Sequence, residues 1–534
     1  MSSVNPTMHR GLSLLTLVLC VTTFGLYLAH IDGTLPYPSH VDEEAIVGPA
    51  RNILVTGDFH PQEFNYPSLP RYIAAVGLAV GFIRSAPSEG VTDIRQIGSV
   101  SYPHYGIPTA VETVKQLFAL LSVIAFAATA FASWRLTNQP KAAAIGLLFL
   151  LSSQLYFGLS WQYLNVDIVG TCFVMLAVAS CLGATSQQSV VRSAVIPSLW
   201  AGLAAASKYT LGLVLLPVLL SIWLYQTGDR RIRSIGIAIL TAGLAFLVSV
   251  PYALLDLPSF LNGLAFDAWH YGTGHRGFEN DAGLPQLAFY ASHFTHEFGL
   301  IGIGLVIVGT AAAIRDDWRR AIVFLTFPVL LLTLLAGQRV HFPRNVLPLH
   351  PLFAIAAGYG FVICCTFFTH WLSKLYPRFE GTPAKTVIVV LLLALVLPGA
   401  RLKSHATVTP DSRNLARVWL AENIPADWKI LLTSELNFDQ RGLANGHIQV
   451  EEVSVSTLHD QNQLLASVEG QVVALVPIWG VDGRFDSAIS PDEINAMLSG
   501  KRVLAAFGSN EVLLNYDRGM GTVWGDPKFV VISP

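Results

Sequence analysis

Acidic side chains cluster shortly after the first long apolar run, where the chain reads His40-Val41-Asp42-Glu43-Glu44. Carboxylates just past the end of a membrane helix can serve as a general base or hold a cation. The alternative is a solvated helix start, because acidic side chains favour the N-terminal end of a helix. For an isolated Asp-Glu-Glu sequence, that alternative would be the better interpretation.

The acidic cluster is not isolated, because other polar motifs follow it along the chain. They read Ala50-Arg51-Asn52, Gly57-Asp58-Phe59-His60-Pro61 and Tyr66-Pro67-Ser68-Leu69-Pro70-Arg71-Tyr72. The apolar run from Tyr72 to Ile83 is too short to span a membrane comfortably. We expect it to lie along the interface or to dip into the bilayer.

The elements that position these residues are predicted to be membrane helices. Of the 534 residues, 52% are hydrophobic and only 13% are charged, whereas a soluble domain carries about 25% charged residues. A spanning helix needs about 20 apolar residues, and about eleven runs are candidates. They lie at 11–29, 113–134, 142–159, 166–184, 194–207, 209–226, 235–254, 298–314, 320–336, 346–369 and 385–400.

Lys208 interrupts one long apolar stretch, so residues 194–226 form either two spans or one long helix. The positive-inside rule favours two spans, with the N-terminus in the cytoplasm. The cytoplasmic loops then hold the basic residues Arg135, Lys141, Arg192, Arg230, Arg231, Arg233, Arg315, Arg319, Arg320, Lys374, Arg378 and Lys385. A long loop at 31–112, a second at 255–297 and a tail at 401–534 are then extracytoplasmic.

The tail changes character, which predicts a membrane domain over 1–400 and a small soluble α/β domain over 401–534. Asp411 to Glu422 is typical of a capped amphipathic helix, and Ser490 is a good N-cap for another. Short strands are predicted at Lys429 to Thr433, Gln471 to Pro477, Val503 to Phe507, Glu511 to Asn515 and Phe529 to Ile532. The five cysteines lie in apolar runs outside this tail, so no disulfide is expected there.

The segment from His40 to Tyr72 resembles the first outer loop of the protein O-mannosyltransferase and aminoarabinose transferase group. These dolichyl-phosphate-mannose-protein mannosyltransferase-like enzymes are GT-C class proteins that use polyprenyl-phosphate sugars. Their loop reads H-P-D-E, A-R-N, G-D and Y-P-P-L-x-x-Y in order. Val41 and Ser68 replace two of the prolines here.

Four further stretches resemble the same group, and together the likeness covers most of residues 11–425. They are Asn165-Val166-Asp167, the GLAAASKY sequence from Gly202 to Tyr209, Pro251-Tyr252 with Leu255-Asp256, and Phe342 to Pro351 with Asn345 in place of tyrosine. The resemblance implies a GT-C-like fold and sugar transfer from a polyprenyl-phosphate donor to an acceptor, on the extracytoplasmic face and with inversion.

The resemblance also implies roles for individual residues. Asp42 would be the catalytic base, and Glu43 would orient it or bind the acceptor. Arg344, Lys208 and Arg71 are the basic residues expected to bind the donor phosphate. Lys208 could instead snorkel to the interface, and Arg344 could cap the helix that follows.

Substrate-binding or supporting roles fall to Asp167, Tyr66, His270, His275 and Glu279. Asp167 has the alternative of a helix N-terminal acid. The two histidines and Glu279 could ligate a metal, but their spacing is not specific for zinc. The preferred interpretation is acceptor binding or loop packing by Trp269 and Tyr271, and His275-Arg276 could contact the donor phosphate. No cofactor is certain, and a divalent cation is left open.

Two other functional classes stay open, namely a transporter or flippase of glycolipids and a non-catalytic membrane assembly subunit. The net charge of −2 gives no argument for nucleic acid. The expected partners are the lipid-linked donor, membrane lipid and a protein or envelope glycolipid acceptor, in a prokaryotic plasma membrane. Whether a hexose or a pentose is transferred is not decided by the sequence.

Overall fold

A computed structural model of the chain describes residues 6–37, 40–89, 92–99, 108–162, 164–275, 278–375, 390, 397, 405, 408, 410–436, 438–440, 443, 449–454, 472–477, 498–508 and 529–533. This part of the chain is mostly helical, and a small sheet lies near the C-terminus.

The α-helices of the described residues are α1 (Pro6–Thr34), α2 (Glu44–Thr56), α3 (Leu69–Glu89), α4 (Pro108–Thr137), α5 (Pro140–Leu151), α6 (Gln154–Trp161), α7 (Val166–Cys181), α8 (Ile196–Ser207), α9 (Leu215–Tyr225), α10 (Gly228–Ser249), α11 (Tyr252–Leu255), α12 (Leu257–Thr273), α13 (Leu284–Asp316), α14 (Trp318–Ala336), α15 (Leu349–Leu375) and α16 (Ser412–Asn423). Short 3-10 helices lie at Val41–Glu43, Ile94–Ser99, Tyr209–Val214, Pro343–Val346 and Ser434–Leu436, and a π-helical turn lies at Val191–Val195.

Six helices of the described residues are long and apolar enough to cross a membrane, namely α1 from Gly11 onward, α4, α10, α13, α14 and α15. A seventh span results if α5 and α6, which are bent by 69° relative to one another, count as one. The protein is therefore a polytopic α-helical membrane protein. The predicted number of about eleven spans stays unconfirmed, because several of the other apolar helices are short. Most of the predicted run 385–400 lies outside the described residues.

The chain folds back at Lys208 and does not form one continuous helix over 194–226. Helix α8 ends at Ser207, and Lys208 has an extended backbone with φ −151° and ψ 126°. A 3-10 helix starts at Tyr209, and a methyl group built on Gly212 would lie 3.1 Å from the Cβ atom of Ala205. The two arms therefore pack against one another, and the single continuous helix is ruled out.

Small residues let helices α5, α13 and α15 approach closely. A Cβ atom added to Gly309 of α13 would lie 1.9 Å from the carbonyl oxygen of Ala356, and one added to Gly360 would lie 2.0 Å from that of Leu305. A Cβ atom on Gly358 would lie 2.5 Å from the backbone nitrogen of Gly146. Helix α15 therefore packs backbone to backbone against both α13 and α5, which is the usual role of glycine between membrane helices.

The described chain divides into two compact units. The first contains Met1–Leu28, Asp58–Val76 and Gln116–Thr407, and the second contains Ala29–Gly57, Gly77–Lys115 and Val408–Pro534. The first unit holds most of the spans. The second combines parts of the first long loop with the tail.

The tail contains a five-stranded sheet with the order β2-β1-β3-β5-β4. The strands are β1 (Lys429–Thr433), β2 (Gln449–Val453), β3 (Val472–Pro477), β4 (Arg502–Phe507) and β5 (Phe529–Ser533). Strand β1 is parallel to β2 and β3, whereas β5 is antiparallel to β3 and β4. Helix α16 contributes Ala416 and Leu420 to the core on one face of the sheet.

Most of the predicted elements of the tail agree with these observed ones. Strand β2 was not predicted, because its sequence carries two glutamates and most of its side chains are exposed at the edge of the sheet. The predicted strand at Glu511 to Asn515 and the helix start at Ser490 lie outside the described residues.

A buried arginine joins the tail to the first long loop inside the second unit. The Arg413 guanidinium lies 3.6 Å from the ring centroid of Tyr37 and donates paired hydrogen bonds to Asp411. The Tyr37 hydroxyl accepts a 3.0 Å hydrogen bond from the backbone N–H of Asp439. A cation over an aromatic ring that also forms a bidentate ion pair is a geometry specific to arginine.

Gly309→Ala should destabilise the protein, because the added methyl group would overlap the backbone of α15. Overpacking of this kind costs about 1–3 kcal/mol. The matched control is Gly304→Ala in the same helix, where an added Cβ atom meets nothing within 4 Å. Unfolding by heat in detergent should show a lower midpoint for the first variant only. Equal midpoints would contradict the close approach of α13 and α15.

Candidate functional site

Lys208 lies at the fold-back between two apolar arms, and two side chains hold its ammonium group. The Lys208 Nζ atom is 2.6 Å from Asp167 Oδ1 and 2.9 Å from Asn345 Oδ1. The Lys208 side chain is 13% exposed, and that of Asp167 is 3% exposed. A charge so deeply placed in an apolar bundle is costly unless it is paired, so these two contacts explain how Lys208 is tolerated.

Asp167 reaches Lys208 because of a capped helix start. The Asn165 side chain accepts a 2.8 Å hydrogen bond from the backbone N–H of Ile168 and thereby caps α7. Asp167 then lies in the first turn of that helix, where the helix dipole favours a carboxylate. Asp167 is therefore the helix N-terminal acid that the sequence offered as one interpretation, and it is also an ion-pair partner of Lys208, which the sequence did not predict.

Arg344 lies next to Asn345 in the 3-10 helix at Pro343–Val346 and is partly exposed. Its guanidinium carbon is 4.7 Å from the centroid of the Phe342 ring. The His275 ring packs against the same phenylalanine at 5.5 Å, and the His270 ring lies 5.2 Å from His275. The structure thus groups these predicted residues around Phe342, three residues along the chain from Asn345, the partner of Lys208.

Asp267 is a carboxylate of this region that the sequence did not single out. It lies on α12, and Phe260 of the same helix packs 5.9 Å from the Tyr209 ring, next to Lys208 in the chain. Burial raises the pKa of Asp267 to about 7, and the nearby Lys208 ammonium opposes that rise. Below that pH the side chain is a neutral hydrogen-bond donor, and above it the side chain is an anion.

Arg71 is almost fully buried and is held within its own loop. Its guanidinium donates a 3.1 Å hydrogen bond to Asn65 Oδ1 and another to the Glu63 carbonyl oxygen. Burial lowers the pKa of Arg71, which nevertheless keeps its charge because guanidinium is a very weak acid. This geometry gives Arg71 a part in shaping the loop. Tyr66 lies in the same loop and is partly buried.

The motifs around His60 and Asp256 meet in the structure. The His60 Nε2 atom lies 2.9 Å from Asp256 Oδ2, and His60 Nδ1 accepts a 2.9 Å hydrogen bond from the N–H of Gln62. The His60 proton is therefore on Nε2, which donates to Asp256. Asp256 also caps α12 through the N–H of Ser259. Each motif was visible in the sequence, but their pairing requires the fold.

Glu279 pairs with a neighbouring strand-like segment through an isolated antiparallel bridge to Val340. Its carboxylate crowds Gly274, whose φ of +120° is a conformation that favours glycine. Among the described residues, no group of three or more His, Cys, Asp and Glu side chains is arranged to hold a metal ion. Through the bridge and the contact with Gly274, Glu279 packs within its own loop region.

Asp42 and Glu43 belong to the second unit and have different surroundings. Both lie in the 3-10 helix at Val41–Glu43, where the Asp42 N–H donates a 3.0 Å hydrogen bond to His40 Nδ1. The Asp42 side chain is 27% exposed, whereas the Glu43 side chain is 1% exposed. Only Asp42 of the two presents its carboxylate at an accessible surface.

Glu43 forms an ion pair that the sequence did not predict. Its Oε1 atom is 3.1 Å from the Nζ atom of Lys115, and both side chains are 1% exposed. Lys115 lies in α4, more than seventy residues along the chain, in the predicted span at 113–134. A lysine inside a predicted membrane helix signals a buried partner, although the sequence does not say which one.

Known proteins resemble this chain in part of its sequence and in its fold. Residues 108–254 match the family described as dolichyl-phosphate-mannose-protein mannosyltransferase, a stretch of a little more than a quarter of the chain that includes Asp167 and Lys208. No curated protein matches the sequence. The crystal structure of ArnT from Cupriavidus metallidurans bound to undecaprenyl phosphate is 13% identical, with 98% of each chain covered and a TM-score of 0.50. This chain is a polytopic membrane protein with a GT-C-like fold.

Two more distant structures also match the GT-C-like chain. Archaeal oligosaccharyltransferase AglB from Archaeoglobus fulgidus, in complex with an inhibitory peptide and a dolichol-phosphate, is 11% identical over 78% of this chain and 62% of its own, with a TM-score of 0.46. Arabinofuranosyltransferase AftD from Mycobacteria is 12% identical over 100% of this chain and 40% of its own, with a TM-score of 0.43. At these identities the likeness to ArnT establishes the fold and leaves the activity to be tested.

Lys115→Met should destabilise the GT-C-like protein, because it leaves the Glu43 carboxylate buried without its cation. Breaking a buried ion pair from one side costs about 3–5 kcal/mol. The double variant Glu43→Gln/Lys115→Met should recover part of this loss, since neither charge then remains. Unfolding in detergent measures both effects. A double variant less stable than the single one would contradict the pairing.

Anion binding beside Lys208 should weaken as the pH rises through about 7. Asp267 is neutral below its pKa and becomes an anion above it, where it repels a phosphate group. We expect a loss of about tenfold in affinity for a phosphodiester lipid, whose own charge is constant over this range. Asp267→Asn imitates the neutral form and should bind with little dependence on pH. An unchanged pH profile in this variant would refute the role of Asp267.

Proposed function

We propose that the protein is a glycosyltransferase that moves a sugar from a polyprenyl-phosphate donor to an acceptor on the extracytoplasmic face of the membrane. The observation that carries the proposal is the ammonium group of Lys208, which lies at a fold-back between apolar helices and is held by Asp167 and Asn345. Arg344, a second cation, is adjacent to Asn345 in the chain, and the whole arrangement lies in a GT-C-like fold. The family match over 108–254 and the ArnT structure bound to undecaprenyl phosphate support the same class of donor.

Lys208 has enough N–H donors to bind a phosphate in addition to its two protein contacts. An ammonium group has three N–H donors, and Asp167 and Asn345 accept two of them. The third donor is left for an oxygen of the donor phosphate. Arg344 can add a bidentate contact to the same group. Both cations would stabilise the negative charge that develops on the leaving polyprenyl phosphate.

The proposed reaction is a single displacement. A lone pair of an acceptor hydroxyl or amine attacks the anomeric carbon, and the bond from that carbon to the phosphate oxygen breaks with its electrons going to the phosphate. The proton of the acceptor passes to the Asp42 carboxylate. Attack opposite the leaving group inverts the anomeric centre. Because the phosphate leaves as a stabilised anion, the reaction requires no separate acid.

Asp42 suits the role of base better than its neighbour does, because its carboxylate is accessible. The hydrogen bond to His40 fixes the turn that carries Asp42. Glu43 supports the same turn through its ion pair with Lys115. Glu43 therefore acts as a positioning residue for Asp42, and not as a second base.

The residues around Phe342 would complete the substrate site. His270 and His275 line the region next to Arg344 and would contact the donor phosphate or the acceptor. The acceptor is a protein or an envelope glycolipid, and the sugar is a hexose or a pentose.

Asp42→Asn should abolish sugar transfer while the protein stays folded, because the amide cannot take up a proton. The purified protein is given a panel of radiolabelled polyprenyl-phosphate sugars, with membrane extract of the host as acceptor. We expect a rate at least a hundredfold below that of the wild type, within the range for a general base. The matched control is Asp93→Asn in the same unit, where the exposed carboxylate pairs with Arg95 at 2.7 Å.

Each outcome separates the functional classes. Transfer by the wild type and by Asp93→Asn, but not by Asp42→Asn, supports the enzyme and its base. Equal transfer by all three proteins would remove Asp42 from the mechanism. A folded wild type that transfers no sugar from any donor would favour the transporter or assembly subunit.

A further inference from the structure

A second polar network lies in the first unit, deep among the membrane helices. The Ser153 Oγ atom is 2.7 Å from Glu297 Oε2 and 2.8 Å from His350 Nδ1. The His350 Nε2 atom lies 3.0 Å from His293 Nε2. All four side chains are buried, with His350 at 0% exposure. Ionisable groups in such a position are costly and indicate function.

The hydrogen bonds of the network can all point the same way. The Ser153 hydroxyl donates to the Glu297 carboxylate, so His350 Nδ1–H donates to the serine oxygen. His350 Nε2 then accepts from His293 Nε2–H. The Ser153 oxygen also accepts a 3.1 Å bond from the N–H of Tyr156 and caps α6. Ser153 therefore connects the other members of the network, and Ser153→Ala breaks the chain of hydrogen bonds.

The network joins three helices at places where their geometry changes. Ser153 lies at the 69° bend between α5 and α6. Glu297 precedes Gly299, at which α13 bends with a φ of +69°. His350 lies in the first turn of α15, and its ring packs 5.3 Å from Phe294 and 5.8 Å from Phe298. The network therefore fixes the start of α15 against two other helices.

A tight backbone connection leads from His350 to the proposed phosphate site. The N–H of His350 donates to the carbonyl of Leu347 at 3.1 Å, and that of Leu347 donates to the carbonyl of Arg344 at 3.0 Å. The N–H of Asn345 donates to the carbonyl of Phe342, also at 3.0 Å. Successive turns of this kind leave the backbone from 342 to 350 little freedom, and most of its side chains are buried.

We propose that Glu297, Ser153, His350 and His293 are positioning residues that hold Arg344 and Asn345 in place for the donor phosphate. The proposal rests on the proposed function. A displacement of His350 is transmitted through the turns at Leu347 and Arg344 to Asn345, which fixes the Lys208 ammonium. A misplacement of about 1 Å in a binding group is enough to impair a phosphate site.

The central test is the affinity for undecaprenyl phosphate in detergent, measured with Ser153→Ala. We expect the dissociation constant to rise at least tenfold, although Ser153 does not itself belong to the phosphate site. The matched control is Ser221→Ala, because Ser221 is equally buried and donates only a 3.0 Å bond to the carbonyl of Cys181. The control should bind as the wild type does at a temperature where both variants are folded.

A double-mutant cycle shows whether the network acts through Asn345. Ser153→Ala and Asn345→Ala are combined, and the loss in affinity should be clearly smaller than the product of the two single losses. Independent, multiplicative losses would contradict the proposal, as would normal affinity in a folded Ser153→Ala protein. If Ser153→Ala does not fold, His350→Asn is used, since it keeps an N–H at the δ position while it loses the bond to His293 and the ring packing against Phe294 and Phe298.

Binding by the wild-type protein distinguishes a failure of the proposed function from a failure of the positioning role. If the wild type binds no undecaprenyl phosphate, the proposed function fails and the positioning role fails with it. If the wild type binds the lipid and the network variants bind it equally well, only the positioning role is refuted.

Discussion

The structure depends on how a positive charge is accommodated between apolar helix arms. Lys208 would be costly at this depth if it were alone, and removing one partner of such a buried pair costs about 3–5 kcal/mol. Asp167 supplies the opposite charge, and Asn345 adds a neutral acceptor. The three groups come from three separate parts of the chain. The capped start of α7, the fold-back after α8 and the turn before α15 must therefore all be correct for the charge to be tolerated.

This requirement explains why polar networks continue beyond the proposed phosphate site. The turn that carries Asn345 leads directly into α15, whose packing against α5 and α13 is set by glycines at the points of closest approach. The network around Ser153 lies in the same bundle. Glycine-mediated packing and the hydrogen bonds of the Ser153 network thus both fix the position of α15. Under the proposed function, the paired charge would be retained to bind the donor phosphate, because a pair of apolar residues would fold at least as well.

The sequence predicts much of the fold, because membrane helices are encoded by local composition. The runs at 113–134 and 320–336 correspond to α4 and α14 with small shifts in their ends, whereas the run at 298–314 matches only the part of α13 around and after its bend at Gly299. The fold-back at Lys208 followed from the distribution of basic residues. The number of spans was less well determined, because a short helix such as α8 and a bent pair such as α5 and α6 have similar composition to a full span. The charged edge strand β2 carried too little apolar signal to be recognised.

The candidate site was predictable as a set of residues but not as a set of contacts. Asp42, Asp167, Lys208 and Arg344 all stood in recognisable motifs. The partners Lys115 and Asn345 could not be assigned, because each lies far along the chain from the group it contacts. Arg71 shows the opposite case, since a basic residue in a matching motif is occupied by its own loop. Asp267 carried no signal, because its pKa depends on burial and on Lys208.

The most direct measurement is an experimental structure of the protein with a polyprenyl phosphate bound. We predict density for the phosphate within hydrogen-bonding distance, about 3 Å, of Lys208 Nζ, with the Arg344 guanidinium on the same group. Lys208 should keep its contacts with Asp167 and Asn345. A phosphate bound elsewhere, with Lys208 enclosed only by its two protein partners, would contradict the account and leave the buried charge with a purely structural role.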